Sequence, residues 1–261
     1  MALLERQVSE GIAHFSMNAP DRLNALSDEM IVELHTALDD IANTSEIRVV
    51  VLSGKGRAFC AGHDLKQMQQ GRQAKDHGQA YFKDLFERCS ALMSRIRTLP
   101  QPVVAQVHGI ATAAGCQLVA TCDLAIAAED TRFGVNGVNV GLFCSTPMVA
   151  LSRNIPRKHA FEMLTTGSFI SAPRAQELGL INRYLPQAEL ASATEDFAAV
   201  IADKLSVAVK IGKRAFYEQL EMPVEEAYRF TGNVMVENML HRDTEEGIAA
   251  FIEKRDPNWK Q

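Results

Sequence analysis

The sequence predicts an α/β protein with a parallel or mostly parallel sheet, followed by a helical C-terminal region. Three observations point there. Short β-branched runs alternate with segments whose apolar residues recur at helical spacing. The run over 48–53 is β-branched and apolar, as a buried parallel strand should be. After about residue 145 strand signals fade, and helical patterns dominate from Pro156 to Lys254.

In chain order, 12–17 (IAHFSM) is short and apolar and is expected to open the sheet. Asn18-Ala-Pro-Asp21 carries turn chemistry. Ser27 reads as a helix N-cap with Asp28 and Glu29 in the first turn, and Ile31, Leu34, Leu38 and Ile41 mark the buried face. Arg48-Val-Val-Val-Leu-Ser53 is a buried strand ended by Gly54-Lys-Gly56. A long helix over about 79–97 leads to the strand Pro102-Val-Val-Ala-Gln-Val107, and Leu124-Ala-Ile-Ala-Ala128 is the next. Strand–helix alternation favours right-handed crossovers. Past residue 145 the one strand signal is 181–185, and Gly167, Pro173, Pro186 and Pro223 break the helices.

Composition narrows the function classes. The chain has 261 residues, 47% of them hydrophobic, enough for a substantial core. Its 27 basic and 32 acidic residues give a net charge of -5, without the basic block a nucleic-acid surface needs. No run reaches the ~18 apolar residues of a membrane span. The N-terminus has neither a long apolar core nor an Arg/Ser-rich presequence, so a cytoplasmic location is expected, or the mitochondrial matrix if a presequence was removed. Cys60, Cys89, Cys116, Cys122 and Cys144 show no metal-type pairing and read as reduced, mostly buried thiols.

Two loops carry the chemistry. The first, residues 58–65 (AFCAGHDL), follows a buried strand, and Gly62 permits a sharp turn. The second, residues 108–117 (HGIATAAGCQ), leaves the next strand and enters a helix rich in small residues. Both belong at the C-terminal ends of neighbouring strands, where ligands bind in such sheets. Two amides at such a place, aimed at one oxygen, make an oxyanion hole. Spacing alone serves tight packing of Ala111 to Gly115 equally well.

The order and spacing of residues 18–26, 58–65, 108–123 and 251–255 resemble the crotonase (enoyl-CoA hydratase/isomerase) family over nearly the whole chain. The resemblance implies a ClpP-like spiral of repeated β-β-α units over residues 1–200. It also implies a helical region over 201–261 that assembles a homotrimer, often a dimer of trimers. It implies an acyl-CoA thioester as substrate, with coenzyme A present only as part of that substrate, no permanent cofactor and no metal. The oxyanion donors fall on the backbone N–H groups of His63 and Ala114. His63, Asp64, Leu65 and Lys66 border the thioester and the adenine end of coenzyme A. Arg22 and Lys254 stand where the family places basic residues for the phosphates, Lys254 serving a neighbouring subunit.

The family's water-activating glutamates are missing. Their positions hold Gln117 and Gly137, and a third catalytic position, an acid in other branches, holds Ser145. A glutamine has no titrating proton near neutrality. Losing one general acid/base costs about 10²–10⁴ in rate, so two-glutamate hydration is expected to be weak or absent. Residues 63–66, 113–119 and 137–147 also resemble the mitochondrial enoyl-CoA hydratase domain-containing subgroup, which makes the replacement a subgroup property. Substitutes for the carboxylates include the His63 imidazole, Cys144 or Ser145 given a base, and Asn136 or Asn139 as water holders. His108 is read as capping or packing, Asp64 as bonding the amides of its own turn, and Asp123 as a cap. The space freed at Gly137 hints at a bulky acyl group, unless Phe143 or Phe133 fills it. Two functions remain: an enzyme on acyl-CoA thioesters, favoured by the retained loops, and a non-catalytic acyl-CoA binder, favoured by the vacant acids.

Overall fold

β-Branched apolar runs become strands and 3.6-spaced runs become helices in the structure, a computed structural model that describes residues 2–260. The chain opens with a hairpin of β1 (Leu4–Ser9) and β2 (Ile12–Met17), turning through Glu10 and Gly11, both at positive φ. The first half continues as α1 (Asp28–Ile41), β3 (Val49–Gly54), α2 (Leu65–Gly71), α3 (Gln79–Thr98), β4 (Val103–Val107), β5 (Ile110–Thr112) and α4 (Ala114–Thr121). There follow β6 (Leu124–Ala128), β7 (Arg132–Gly134), α5 (Pro147–Asn154), α6 (Arg157–Thr166), β8 (Ile170–Ser171), α7 (Ala172–Leu178) and β9 (Arg183–Leu185). The remainder is helical: α8 (Leu190–Ala202), α9 (Ser206–Gln219), α10 (Val224–Met239) and α11 (Arg242–Glu253).

Among the described residues the main sheet has six strands in the order β1-β2-β3-β4-β6-β9, and a second has three, β5-β7-β8. From β2 onward every pairing in the main sheet is parallel; only the β1–β2 hairpin is antiparallel. The expectation of a mostly parallel sheet holds. One expectation fails: β1, not 12–17, opens the sheet. Only Leu4 of β1 is buried, so this edge strand lacks the apolar run by which the central strands are recognised.

The smaller sheet grows from the larger. β4 passes directly into β5 and then α4, and β6 passes into β7. β5 pairs in parallel with β7. The loop after β3 joins the same layer through a parallel bridge between Cys60 and Ala111. Each turn of chain therefore supplies two strand segments and then helix, the β-β-α spiral that the resemblance implies.

The core lies mainly between the sheet and α1, α3 and α4, where Phe15, Leu34, Leu52, Leu92 and Leu118 are buried together. The opposite face is covered by α8, whose Ala198 packs with Ile12, Val49, Val51 and Val104. Both faces are thus closed, and the strands can be apolar throughout. Ser27 caps α1 by accepting from the Met30 N–H, as its place in the sequence predicts.

Candidate active site

The two predicted loops meet backbone against backbone. The Cys60 N–H donates to the Ile110 carbonyl, and the Thr112 N–H donates to the Cys60 carbonyl. Small residues make this approach possible. A Cβ added to Gly115 would collide with the Cys60 carbonyl, and one added to Gly109 with the Arg57 carbonyl. A Cβ at Gly62 would lie 2.9 Å from the Ala113 Cβ and 3.3 Å from the Ala114 nitrogen. Gly62 also has φ +91°, a conformation L side chains avoid. The residue before His63 therefore sits against the amide of Ala114.

Ala113 holds the second loop in a strained conformation, φ 50° and ψ −119°, pinned by its N–H donating to the Gly134 carbonyl. Strain of this kind persists where surrounding structure over-determines it, commonly at sites of function. It starts α4 at Ala114, whose N–H, at the first helical position, has no intrahelical partner. No carbonyl among the described residues accepts from the His63 or the Ala114 amide. The Leu26 N–H donates to the Gly62 carbonyl and fixes the first loop from its other side. Thr112 Oγ1 donates to Asn136 Oδ1, tying the second loop to the segment of Gly137.

His63 follows Gly62 in the first loop, and Gln117 lies in the helix that the second loop enters. Both nitrogens of the His63 ring are buried without a hydrogen-bond partner, and so is Oε1 of Gln117. The His63 ring stands edge-on to Phe86, with centroids 5.8 Å apart. Burial lowers its pKa, with a smaller opposing contribution from the Leu26 backbone and the charge of Asp28. Gln117, one helical turn after Ala114, lines a cavity of about 840 Å³ between α3, α4, α5 and α9. That cavity runs toward the C-terminal end of α4, away from the two amides.

The other predicted residues divide sharply. Asp64 caps α2, accepting from the Lys66 and Gln67 amides; its reading as a turn-bonding group stands. Arg22 reaches it across 3.6 Å, so an exposed cation does stand beside this loop. Leu65 and Lys66 form the exposed start of α2. Lys254 ends α11 in a left-handed conformation, and within one chain it is not brought to the loops. Ser145 is exposed and its hydroxyl meets only the Phe143 carbonyl, so no base stands beside it. Cys144 is buried, which raises its thiol pKa. All five cysteines are free and buried.

Two expectations are corrected. Gly137 leaves no space: a Cβ there would meet the Leu142 carbonyl and lie 2.8 Å from Cys144 Sγ. Main chain and a thiol fill the position, not Phe143 or Phe133. Asp123 caps nothing in α4, which ends at Thr121 with Cys122 as its C-cap. It accepts instead from the Val103 N–H, the Tyr217 hydroxyl and Lys213 Nζ, the last at 2.6 Å. His108 packs as expected, its Nε2 2.8 Å from the Gly56 carbonyl. The Lys213–Tyr217 anchor escapes sequence reasoning altogether, because nothing local marks a partner 90 residues away.

The profile of the family described as Enoyl-CoA hydratase/isomerase matches residues 7–261. The chain is 44% identical over 250 residues to the human "Enoyl-CoA hydratase domain-containing protein 3, mitochondrial", covering 96% of this chain and 81% of that protein. It is 32% identical to a "Putative enoyl-CoA hydratase" of Thermus thermophilus, over 97% of this chain and 99% of the other. A crystal structure described as enoyl-CoA hydratase of Mycobacterium smegmatis superposes with TM-score 0.96 at 48% identity, covering 100% of both chains.

Proposed function

This chain belongs to the enoyl-CoA hydratase/isomerase family, and we propose that it is an enzyme acting on an acyl-CoA thioester. The carrying observation is the contact of Gly62 with the Ala114 amide. It sets the residue before His63 against the Ala114 amide, which supports a pairing of the His63 and Ala114 N–H groups, and neither has a carbonyl acceptor among the described residues. Two such donors hold the oxygen of a thioester as it becomes an enolate or a tetrahedral anion, each worth about 3–4 kcal/mol. Coenzyme A enters as part of the substrate, and no permanent cofactor is involved. Its phosphate end lies toward Arg22 and Lys66, and Lys254 serves the site of a neighbouring copy in a trimer or a dimer of trimers.

The reaction is not two-glutamate hydration, since Gln117 and Gly137 occupy the glutamate positions. A non-catalytic acyl-CoA binder would keep the pocket but has little need for two donors converging on the carbonyl oxygen. The test is a panel of acyl-CoA thioesters followed for thioester loss, free-thiol release and loss of conjugated-thioester absorbance. Turnover of at least one member, reduced about 10²–10³-fold in Ala114→Val, supports the enzyme. Saturable binding with no turnover across the panel supports the binder.

A further inference from the structure

The cavity of about 840 Å³ between α3, α4, α5 and α9 is lined unevenly. Gln117 marks one end, a helical turn after Ala114. The cavity thus begins one turn from a proposed oxyanion donor and runs away from it, as an acyl chain must from its own carbonyl. Met93, Ala120, Val149, Ala150, Phe216 and Leu220 give it apolar walls. The other end lies past α4 and is cationic. There the Tyr217 hydroxyl donates to Asp123, and the Arg97 guanidinium lies 5.2 Å from the Tyr217 ring centroid. One turn beyond Tyr217 is Glu221, whose Oε1 is 3.9 Å from Arg153 Nε. Arg153 closes α5 beside Asn154, which donates to the Ala120 carbonyl and holds this end of α5 against α4.

The charges at that end do not balance. Arg97, Arg153 and Arg157 all line the cavity. Among the described residues no carboxylate pairs with Arg97 or Arg157. Asp123 lines it too but is committed to Lys213 and Tyr217. Glu221 is the one other carboxylate facing three guanidiniums, in a chain whose net charge is -5. A local excess of cations in an acidic protein is a place for an anion.

We infer that this cavity receives an acyl group ending in a second carboxylate, so that the substrate is the monothioester of a dicarboxylic acid, with Arg97 and Arg153 recognising its distal end. The inference rests on the acyl-CoA reading above and gives it a substrate class. A methyl-ended chain of that reach would strip water from the guanidiniums and return no hydrogen bond. A carboxylate returns charge-assisted bonds, and its two oxygens match the planar fork of an arginine. Both arginines are held ready. Arg97 rests on the Tyr217 ring, and Arg153 donates one N–H to the Val149 carbonyl, which aligns it along α5. Its contact with Glu221 is longer than a hydrogen bond, so that pair leaves donors open to a ligand. Glu221 steadies Arg153 in the empty cavity and opposes the incoming charge.

The experiment titrates two series of saturated thioesters by calorimetry: hexanoyl-, octanoyl- and decanoyl-CoA, and the adipoyl, suberoyl and sebacoyl monothioesters of matching length. Wild type is expected to bind at least one dicarboxylic member about ten- to a hundredfold more tightly than its methyl-ended counterpart, as charged hydrogen bonds imply. That ratio should fall as salt is added. Replacing both arginines, Arg97→Met with Arg153→Met, should erase the preference. Arg153→Lys, which keeps the charge and loses the fork, should retain only part of it. Glu221→Gln removes the opposing carboxylate from an exposed position and should widen it, which tests the same contact should the double variant fail to fold. Equal affinities in the two series at every length, a preference that survives the loss of both arginines, or a ratio unchanged in Glu221→Gln overturns the inference and leaves the acyl-CoA reading standing. Failure to bind any member of either series overturns both.

Discussion

The packing around Gly137 predicts the outcome of placing an acid there. A glutamate there must displace the Leu142 carbonyl and the Cys144 thiol, because even its Cβ has no room. Overpacking of this kind costs about 1–3 kcal/mol, so Gly137→Glu is expected to lower the chemical-denaturation midpoint without raising hydration. Gln117→Glu, facing a cavity, should fold normally. A Gly137→Glu protein as stable as wild type would mean that the 142–144 segment moves aside. His63 yields a prediction in pH. Its pKa in the folded chain lies below the ordinary value of about 6.5, so the unfolded chain takes up a proton that the folded one resists. The stability this residue contributes is complete above about pH 6.5 and is lost as pH falls toward and through the folded pKa. Thermal melts between about pH 7.5 and 5 should show a loss for wild type that is smaller in His63→Gln; identical slopes would place the ring in water. The identities of these two residues were readable in the sequence. That Gly137 is filled and His63 unpartnered was not, because both depend on atoms brought close by the spiral.

At the scale of elements, the legible parts were those with an internal signature. β3 and β6 are nearly continuous apolar runs, β2 and β4 are apolar but for His14, Ser16 and Gln106, and α1 carries both its cap and its stripe. β1 and the two-residue β8 carry neither, since their side chains are largely exposed and pairing alone defines them. The attachment of α9 was illegible for a further reason. Lys213 looks like one more helix cation, yet its side chain is 6% exposed and its ammonium donates to Asp123 and to the carbonyls of Ile96 and Gln101. Burial disfavours both charges, raising the Asp123 pKa and lowering that of Lys213, and their attraction offsets that cost. Removing one partner strands the other. Lys213→Met should therefore destabilise the protein by about 3–5 kcal/mol, and amide exchange in α9 should accelerate more than in α4. A change within a few tenths of a kcal/mol would show the pair to be dispensable.

At the scale of the whole molecule, the C-terminal helices pose a different problem from the core. α10 and α11 leave Tyr228, Met235, Val236, Leu240, Ile248, Phe251 and Ile252 exposed, Leu240 at 82% and Phe251 at 85%. Isolated apolar side chains on a surface are ordinary, but a concentration of this kind marks an interaction face. The proposed function would give the same face a use. The two amides, His63 and Gln117 come from one chain, whereas Lys254 closes α11 and makes no approach to the loops of its own subunit. A second copy seated on α10 and α11 would cover the apolar residues and carry that lysine toward another subunit's coenzyme A phosphates. Light scattering should accordingly give a mass of three or six chains for wild type. Leu240→Glu with Phe251→Glu should give a smaller assembly, because two buried carboxylates without partners oppose association strongly. Lys254→Ala, by contrast, should keep the assembly and weaken acyl-CoA affinity, more at low salt than at high, since screening removes part of an exposed cation's attraction for phosphate. A monomeric wild type, or an affinity untouched by Lys254→Ala at any salt, would confine the binding site to a single chain.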